Sequence, residues 1–169
     1  MEVILYLAQT VNGYIAEKND NVPWTDIWAT YYSEIKKAKN IIVGRRTYEI
    51  MKRSGEVKKC GDPFVVVITK SKPSKAGGVK TIFVQSPKQA LSVVRAKGFR
   101  KTFVGGGSKT AGSFMKLGLI NQLYIDIEPF VFGTGIPLLS EMKFESKLKL
   151  VKIKRLSNNT IQLRYNVLK

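Results

Sequence analysis

The sequence predicts an α/β protein in three layers, with helices on both faces of a mostly parallel sheet and an antiparallel hairpin at the C-terminal edge. Apolar runs that suit buried strands occur at 2–9, 40–44, 63–69, 80–84, 101–105 and 121–132, with helix signals between most of them. Residues 149–156 and 160–168 instead alternate polar and apolar side chains around Ser-Asn-Asn at 157–159, which is typical of a hairpin. These two patterns determine the predicted fold class.

The first helix is expected to run from a cap at Thr25 or Asp26 to about Lys39. Its large apolar side chains recur at helical spacing and form one stripe: Trp24, Trp28, Tyr31 and Ile35. Such a stripe is usually core packing, although its N-terminal end could line a pocket.

Three more helices are expected. One begins near Thr47, after the strand at 40–44 and the pair Arg45 and Arg46. The next covers 87–97, because Ser86 suits the capping position and Pro87 suits the first helical position. The last begins near Ser108, after a run of glycines.

Length and composition restrict the function. The 169 residues suit one domain, 1–169, and 44% of them are hydrophobic. No segment approaches the roughly 20 apolar residues of a membrane span, and the chain starts as a strand, so we expect a cytoplasmic protein. The chain contains no histidine, which excludes Ser-His-Asp triads and the usual zinc sites. Cys60 lies in a lysine-rich stretch that reads as a loop, and we expect it to be a bystander thiol.

The formal net charge of +17 would attract polyanions such as nucleic acids, phosphorylated metabolites or dinucleotides. The lysines are scattered along the chain, and no block of five like charges occurs. A solvated basic surface is therefore favoured over a nucleic-acid interface.

Three glycines, Gly105, Gly106 and Gly107, stand between the strand that ends at Val104 and the helix that begins near Ser108. The backbone amides of such a turn can converge on a phosphate, whose approach larger side chains would block. The segment matches neither a P-loop nor the dinucleotide fingerprint, because it lacks glycine at positions that each would need. A plain strand-to-helix turn is the alternative reading.

Three predicted strands end in residues that suit phosphate. The groups are Gly44, Arg45, Arg46 and Thr47; Thr69, Lys70, Ser71 and Lys72; and Gly105, Gly106, Gly107, Ser108, Lys109 and Thr110. Because parallel strands present their carboxyl ends at one edge of a sheet, these groups can face a single crevice. Their cationic side chains and helix-start amides together favour a dinucleotide that carries an extra phosphate.

Five segments, in order, resemble the motif set of the dihydrofolate-reductase-like superfamily. They are Thr-Val-Asn-Gly-Tyr-Ile-Ala at 10–16, Val-Pro-Trp at 22–24, Val-Gly-Arg-Arg-Thr-Tyr-Glu at 43–49, Val-Gly-Gly-Gly at 104–107 and Glu-Pro-Phe-Val-Phe-Gly-Thr-Gly-Ile-Pro at 128–137. The chain is most similar to the branch that holds the reductase domain of riboflavin biosynthesis, the RibD C-terminal domain. The resemblance covers nearly the whole chain.

The resemblance implies NADPH as the cofactor. It places residues 44–47 along the cofactor's phosphates and residues 69–71 beside its 2′-phosphate, with Ile15 and Ala16 near the nicotinamide. In that family, the pair that matches Gly105 and Gly106 carries a cis peptide against the cofactor. Hydride transfer would be the cofactor's chemistry, and the protein would position the acceptor and manage one proton.

Asn12, Trp24 and Tyr31 are expected to bind the substrate, which would lie beside the Trp24 loop and the first turn of the following helix, opposite the glycine turn. Asp26 is the candidate catalytic acid, and its alternative role is a helix cap. Asn12 stands where the family usually has Asp, and Ala29 stands where folate reductases carry an acid. The segment that holds the substrate's ribose phosphate in riboflavin-pathway enzymes also differs here, so the resemblance specifies the cofactor better than the substrate.

The implied function is an NADPH-dependent reductase of a pyrimidine or pterin heterocycle, with 5-amino-6-(5-phosphoribosylamino)uracil as the leading substrate. A dihydrofolate or dihydropterin reductase is the second reading. A nucleotide- or nucleic-acid-binding module without catalysis is the third. Neither a metal nor a membrane is expected to take part, and dimeric relatives leave a homodimer open.

Overall fold

The computed structural model of the chain describes residues 1–24, 28–71, 80–140 and 142–168. Its main sheet contains six parallel strands: β1 (Glu2–Thr10), β3 (Asn40–Gly44), β4 (Phe64–Ile68), β5 (Thr81–Val84), β6 (Lys101–Val104) and β7 (Gln122–Glu128). An antiparallel hairpin, β9 (Leu148–Arg155) and β10 (Ile161–Val167), completes it on the β7 side. The order of the eight strands is β5-β4-β3-β6-β1-β7-β10-β9. A separate short pair joins β2 (Tyr14–Ala16) to β8 (Ile136–Pro137).

Helices cover both faces of the sheet. The bounds are α1 (Trp28–Ala38), α2 (Arg45–Arg53), α3 (Glu56–Lys59), α4 (Pro87–Ala96) and α5 (Ser108–Lys116). Side chains of α1 and α2 pack in one buried cluster and side chains of α4 and α5 in the other. This arrangement confirms the predicted fold class.

Strand β1 shows how the sequence produces two cores. Val3 and Leu5 belong to the cluster on the α5 side, whereas Ile4 and Tyr6 belong to the cluster on the α1 side. All four side chains are buried, because successive residues of a central strand point to opposite covered faces. An uninterrupted apolar run is therefore what this position requires.

The predicted cap of α4 is confirmed, since Ser86 Oγ accepts a hydrogen bond from the Gln89 amide at 3.3 Å. The loop placement of Cys60 is wrong. Residues 56–59 form α3, which was not predicted, and the fully buried Cys60 follows it into the α1-side core. Burial, followed by the nearby Glu56, raises the pKa of this thiol to about 12, which keeps it protonated and favours the bystander role.

The predicted caps Thr25 and Asp26, and the cationic Lys72, lie outside the described residues. Across the ranges that the structure describes, no helix is long and apolar enough to cross a membrane. The same ranges contain no group of three or more Cys, Asp or Glu side chains that could hold a metal ion.

Candidate functional site

The three predicted phosphate segments meet at one edge of the sheet. Strands β4, β3 and β6 are consecutive neighbours, and all three are parallel. Gly44 therefore ends its strand between Thr69, which follows β4, and Gly105, which follows β6. The expectation that these distant segments share an edge is confirmed.

Backbone contacts hold two of these strand ends together. The Gly44 amide donates to the Gly106 carbonyl at 2.7 Å, and the Gly105 amide donates to the Ile42 carbonyl at 2.9 Å. A Cβ atom added at Gly44 would lie 2.6 Å from Thr110 Oγ1, so glycine at this position allows β3 to approach the start of α5.

The cis peptide lies one residue later than the family resemblance implied. It joins Gly106 to Gly107, and Gly106 has a φ of +90°. Gly105 still continues the strand ladder through its bond to Ile42, so the turn begins only after it. A Cβ atom at Gly106 would lie 2.9 Å from Leu7 Cδ2, whereas one at Gly107 would lie 3.2 Å from Thr47 Oγ1.

Two helices begin at this edge, and a glycine precedes each of them. Gly44 precedes α2 and Gly107 precedes α5, and among the described residues neither helix start receives a side-chain cap. The first amide groups of both helices are therefore free to bind an anion, which their dipoles favour. Ser108 adds a buried hydroxyl group for which the described residues supply no hydrogen-bond partner.

Arg45 and Arg46, at the start of α2, form polar contacts with neighbouring segments of the chain. Arg45 donates to Ser71 Oγ at 2.6 Å and to Glu49 Oε1 at 2.8 Å, so it bridges α2 and the end of β4. Arg46 forms an ion pair with Asp20 at 2.5 Å, in the loop that follows β2. Lys70 and Lys109 are exposed.

The end of β4 is a compact hydroxyl-rich turn. Thr69 is buried, and its Oγ1 lies 3.1 Å from Ser71 Oγ, which also accepts the bond from Arg45. Two hydroxyl groups and a guanidinium thus lie together, and these are groups that bind a phosphate dianion.

The β1–β2 turn contacts the loop that follows β7. Both ends of the Asn12 amide bind Phe132, with Nδ2 donating to its carbonyl at 2.6 Å and Oδ1 accepting from its amide at 3.2 Å. Trp24 is buried and stacks on Phe132 at 6.2 Å between ring centroids. In this structure Asn12 therefore positions a loop and does not present a free amide to the crevice. Ile15 and Ala16 follow the β1–β2 turn and lie in β2, where Ala16 is buried.

Tyr31 of α1 lies against the glycine turn. A Cβ atom at Gly105 would stand 2.6 Å from its hydroxyl oxygen, and its ring meets Tyr6 edge-on at 5.1 Å. Burial raises the pKa of Tyr31 well above its ordinary value, so the phenol is neutral.

The RibD C-terminal domain family model matches residues 1–162 of the chain. The chain belongs to this family. The uncharacterised protein YwjB of Bacillus subtilis (strain 168) is 28% identical over 169 residues, which are 97% of each chain. Among solved structures, a protein from Shewanella sp. PV-4 superposes with a TM-score of 0.81 at 23% identity over 100% of both chains.

A diaminohydroxyphosphoribosylaminopyrimidine deaminase/5-amino-6-(5-phosphoribosylamino)uracil reductase from Thermotoga maritima has the same fold. It superposes with a TM-score of 0.74 at 18% identity, over 99% of this chain and 56% of that one. The RibD C-terminal fold thus accounts for about half of the longer protein.

Within this RibD C-terminal fold, the structure reveals a buried polar group that sequence reasoning missed. Asp126 of β7 is fully buried, and it accepts hydrogen bonds from Tyr6 Oη at 2.9 Å and Gln162 Nε2 at 2.7 Å. Burial raises the pKa of Asp126 to about 6, despite these bonds and the lowering influence of Arg164 and Lys154.

Asp126 stands between β1 and β10 in the sheet. It pairs with Ala8 of β1, two residues before β1 ends, on the face that α1 covers. Ala8 is half-buried, whereas the Asp126 carboxyl group is fully buried. An Asp within the apolar run of β7 was the one sequence signal that could have found this group.

Proposed function

We propose that this RibD C-terminal protein is an NADPH-dependent reductase of a pyrimidine or pterin heterocycle. The observation that carries the proposal is the shared edge where two uncapped helix starts, the glycine turn and Arg45 come together. The leading substrate is 5-amino-6-(5-phosphoribosylamino)uracil, which family membership and the name of the Thermotoga protein support.

The residues at this edge fit a phosphorylated dinucleotide. The start of α5 and the Gly105–Gly107 turn would hold the pyrophosphate, and the unpartnered Ser108 hydroxyl would gain an acceptor there. Arg45, Thr69 and Ser71 would hold the 2′-phosphate that distinguishes NADPH from NADH. The bound cofactor would supply a hydride.

The protein must then supply one proton for each hydride that the acceptor receives. Asp126 is a second candidate proton donor, since burial raises the pKa of its carboxyl group to about 6. Asp26, the acid expected from the sequence, lies outside the described residues. Asp126 and Asp26 are therefore the two candidate proton donors.

The direct test is turnover with 5-amino-6-(5-phosphoribosylamino)uracil, followed by the loss of NADPH absorbance. Parallel reactions with dihydrofolate and dihydropterin separate the two substrate classes, and reactions without substrate give the background. We expect NADPH oxidation that depends on the uracil substrate. NADPH binding without turnover of any of these heterocycles would instead identify a binding module.

A further inference from the structure

Each of the two arginines that open α2 is paired with a carboxylate. Arg45 Nε donates to Glu49 Oε1 at 2.8 Å, one helical turn later, and Arg46 pairs with Asp20. Acidic side chains are scarce in this chain, which has 29 Lys and Arg but only 12 Asp and Glu. Two of them nevertheless stand on arginines at the proposed cofactor site, so the start of α2 is far less cationic than the net charge of +17 suggests.

Glu49 shares the Arg45 guanidinium with the proposed 2′-phosphate subsite. Arg45 Nη1 donates to Ser71 Oγ at 2.6 Å, and Ser71 Oγ lies 3.1 Å from Thr69 Oγ1. A guanidinium has five N–H donors. Within the part of the chain that the structure describes, Arg45 uses one donor at Nε and one at Nη1, which leaves three for a phosphate. Glu49 therefore does not block the subsite, and a bound phosphate would share one guanidinium with a carboxylate.

A carboxylate at this position acts on a bound phosphate in two opposing ways. Its hydrogen bond to Arg45 Nε helps to hold the guanidinium beside Ser71, which favours binding. Its negative charge repels the phosphate, which opposes binding. The orienting effect is small, because both side chains of the Arg45–Glu49 pair are about half exposed and a phosphate orients a guanidinium by its own paired hydrogen bonds. The repulsion acts in every complex that contains the phosphate, so we expect repulsion to dominate.

We propose that Glu49 is a specificity-determining residue whose charge weakens the hold of Arg45, Thr69 and Ser71 on a 2′-phosphate. This inference rests on the proposed function, since it takes NADPH as the ligand. A neutral side chain of the same length would bind NADPH more tightly and discriminate more strongly against NADH. The carboxylate of the natural protein limits that affinity and so speeds release of the oxidised cofactor, because differences in affinity between related complexes lie mostly in the dissociation rate.

Titration calorimetry of wild type and Glu49→Gln, with NADPH and with NADH, tests this inference. Glutamine keeps the length of the side chain and an oxygen that accepts from Arg45 Nε, so the substitution removes the charge and leaves the hydrogen bond available. We expect it to tighten NADPH binding about threefold or more at low salt and to leave NADH affinity unchanged. The gain should shrink as salt rises, because screening weakens the repulsion.

Glu145→Gln is the matched control. It makes the same change at an exposed position shortly before β9, an edge strand far from β4 in the strand order, and it should change neither affinity. Melting curves check that each variant folds. Glu49→Ala replaces Glu49→Gln if the latter does not fold, with the same direction expected for NADPH.

NADPH affinity that stays unchanged or falls in the folded Glu49 variant, while wild type binds NADPH, would overturn the inference and leave the proposed function standing. An equal gain for NADPH and NADH would also overturn it, because the repulsion would then act on a group that both dinucleotides carry. So would a gain that is undiminished at high salt, since it would not be electrostatic. If wild type binds neither dinucleotide, the proposed function is contradicted and this inference fails with it.

Discussion

An alanine in place of Gly107 should weaken cofactor binding with little effect on folding. Its φ is −71°, and a Cβ atom there would touch Thr47 Oγ1 at 3.2 Å, a contact that a small side-chain shift relieves. The methyl group would lie just before α5 and beside Thr47 of α2, where the pyrophosphate is proposed to bind. We therefore expect Gly107→Ala to weaken NADPH affinity about tenfold or more with little change in melting temperature.

Gly133→Ala is the control for that experiment, because nothing lies within 4 Å of a Cβ atom added there. Gly106→Ala is a poorer probe, since its φ of +90° and its contact with Leu7 would strain the fold directly. If Gly107→Ala binds NADPH as wild type does, the glycine turn does not approach the cofactor.

Asp126 should make stability depend on pH. Its pKa of about 6 lies above the ordinary 3.8, so the folded protein holds this proton to higher pH than the unfolded chain. The bound proton stabilises the folded protein by up to about 3 kcal/mol. This stabilisation is complete below about pH 4 and is lost as the pH rises through about 6. Asp126→Asn should lack this fall, which urea unfolding at several pH values would show.

The informative quantity is the difference between the two proteins, because other groups titrate equally in both. As the pH rises from about 4 to about 7, wild type should lose stability relative to Asp126→Asn, so the free energy of unfolding of the variant should rise relative to that of wild type. Asp62→Asn makes the same substitution at an exposed position and serves as the control. Parallel curves for wild type and Asp126→Asn would mean that Asp126 does not titrate in this range.

Residues were predictable where local rules decide their roles. Three consecutive glycines before a helix indicated the turn, and Ser86 before Pro87 indicated a cap. The Asp126 group was not predictable, since its partners Tyr6 and Gln162 are 120 and 36 residues away and meet only through strand pairing. The bonds between Asn12 and Phe132 span 120 residues and escaped prediction for the same reason.

At the scale of elements, the junction between α2 and the end of β4 should select the cofactor. Arg45 crosses this junction to Ser71, and a guanidinium is suited to a phosphate that only NADPH carries. Arg45→Ala should weaken NADPH affinity about tenfold or more and leave NADH affinity unchanged. Arg53→Ala removes the same charge at the far end of α2 and should change neither. A loss of affinity for both cofactors would place Arg45 on the pyrophosphate instead.

Long elements with strong patterns were predicted to within a few residues, as β1 and the C-terminal hairpin show. Short elements were missed. Helix α3 has four residues and β8 has two, and their sequences carry too few periodic positions to be distinguished from loop. These elements form because of tertiary contacts, which bury Cys60 after α3 and pair β8 with β2.

At the scale of the whole molecule, the charge of +17 should produce only weak and sequence-blind binding of nucleic acids. A protein held by many phosphate contacts loses about a thousandfold or more in affinity between about 50 and 200 mM salt, whereas a dinucleotide pocket uses few charges. Fluorescence anisotropy with labelled DNA and RNA should show binding that disappears at moderate salt. Tight binding that persists at about 200 mM would favour a nucleic-acid interface over the enzyme.

The whole fold was predictable because apolar runs, helix signals and one alternating hairpin agreed with each other. The strand order is what places the segments after β3, β4 and β6 side by side, and the rule on carboxyl ends anticipated that edge without giving its contacts. The substrate was not predictable, since the side chains that would define it come from several elements at once.

Titration calorimetry of the wild-type protein with NADPH and with NADH tests the proposed cofactor site most directly. Each charge-assisted contact to the 2′-phosphate should contribute about 1.5 to 3 kcal/mol. We therefore expect NADPH to bind at least about tenfold more tightly than NADH. Equal affinities would mean that the cluster of Arg45, Thr69 and Ser71 does not bind the 2′-phosphate. The absence of binding by either dinucleotide would contradict the cofactor site itself.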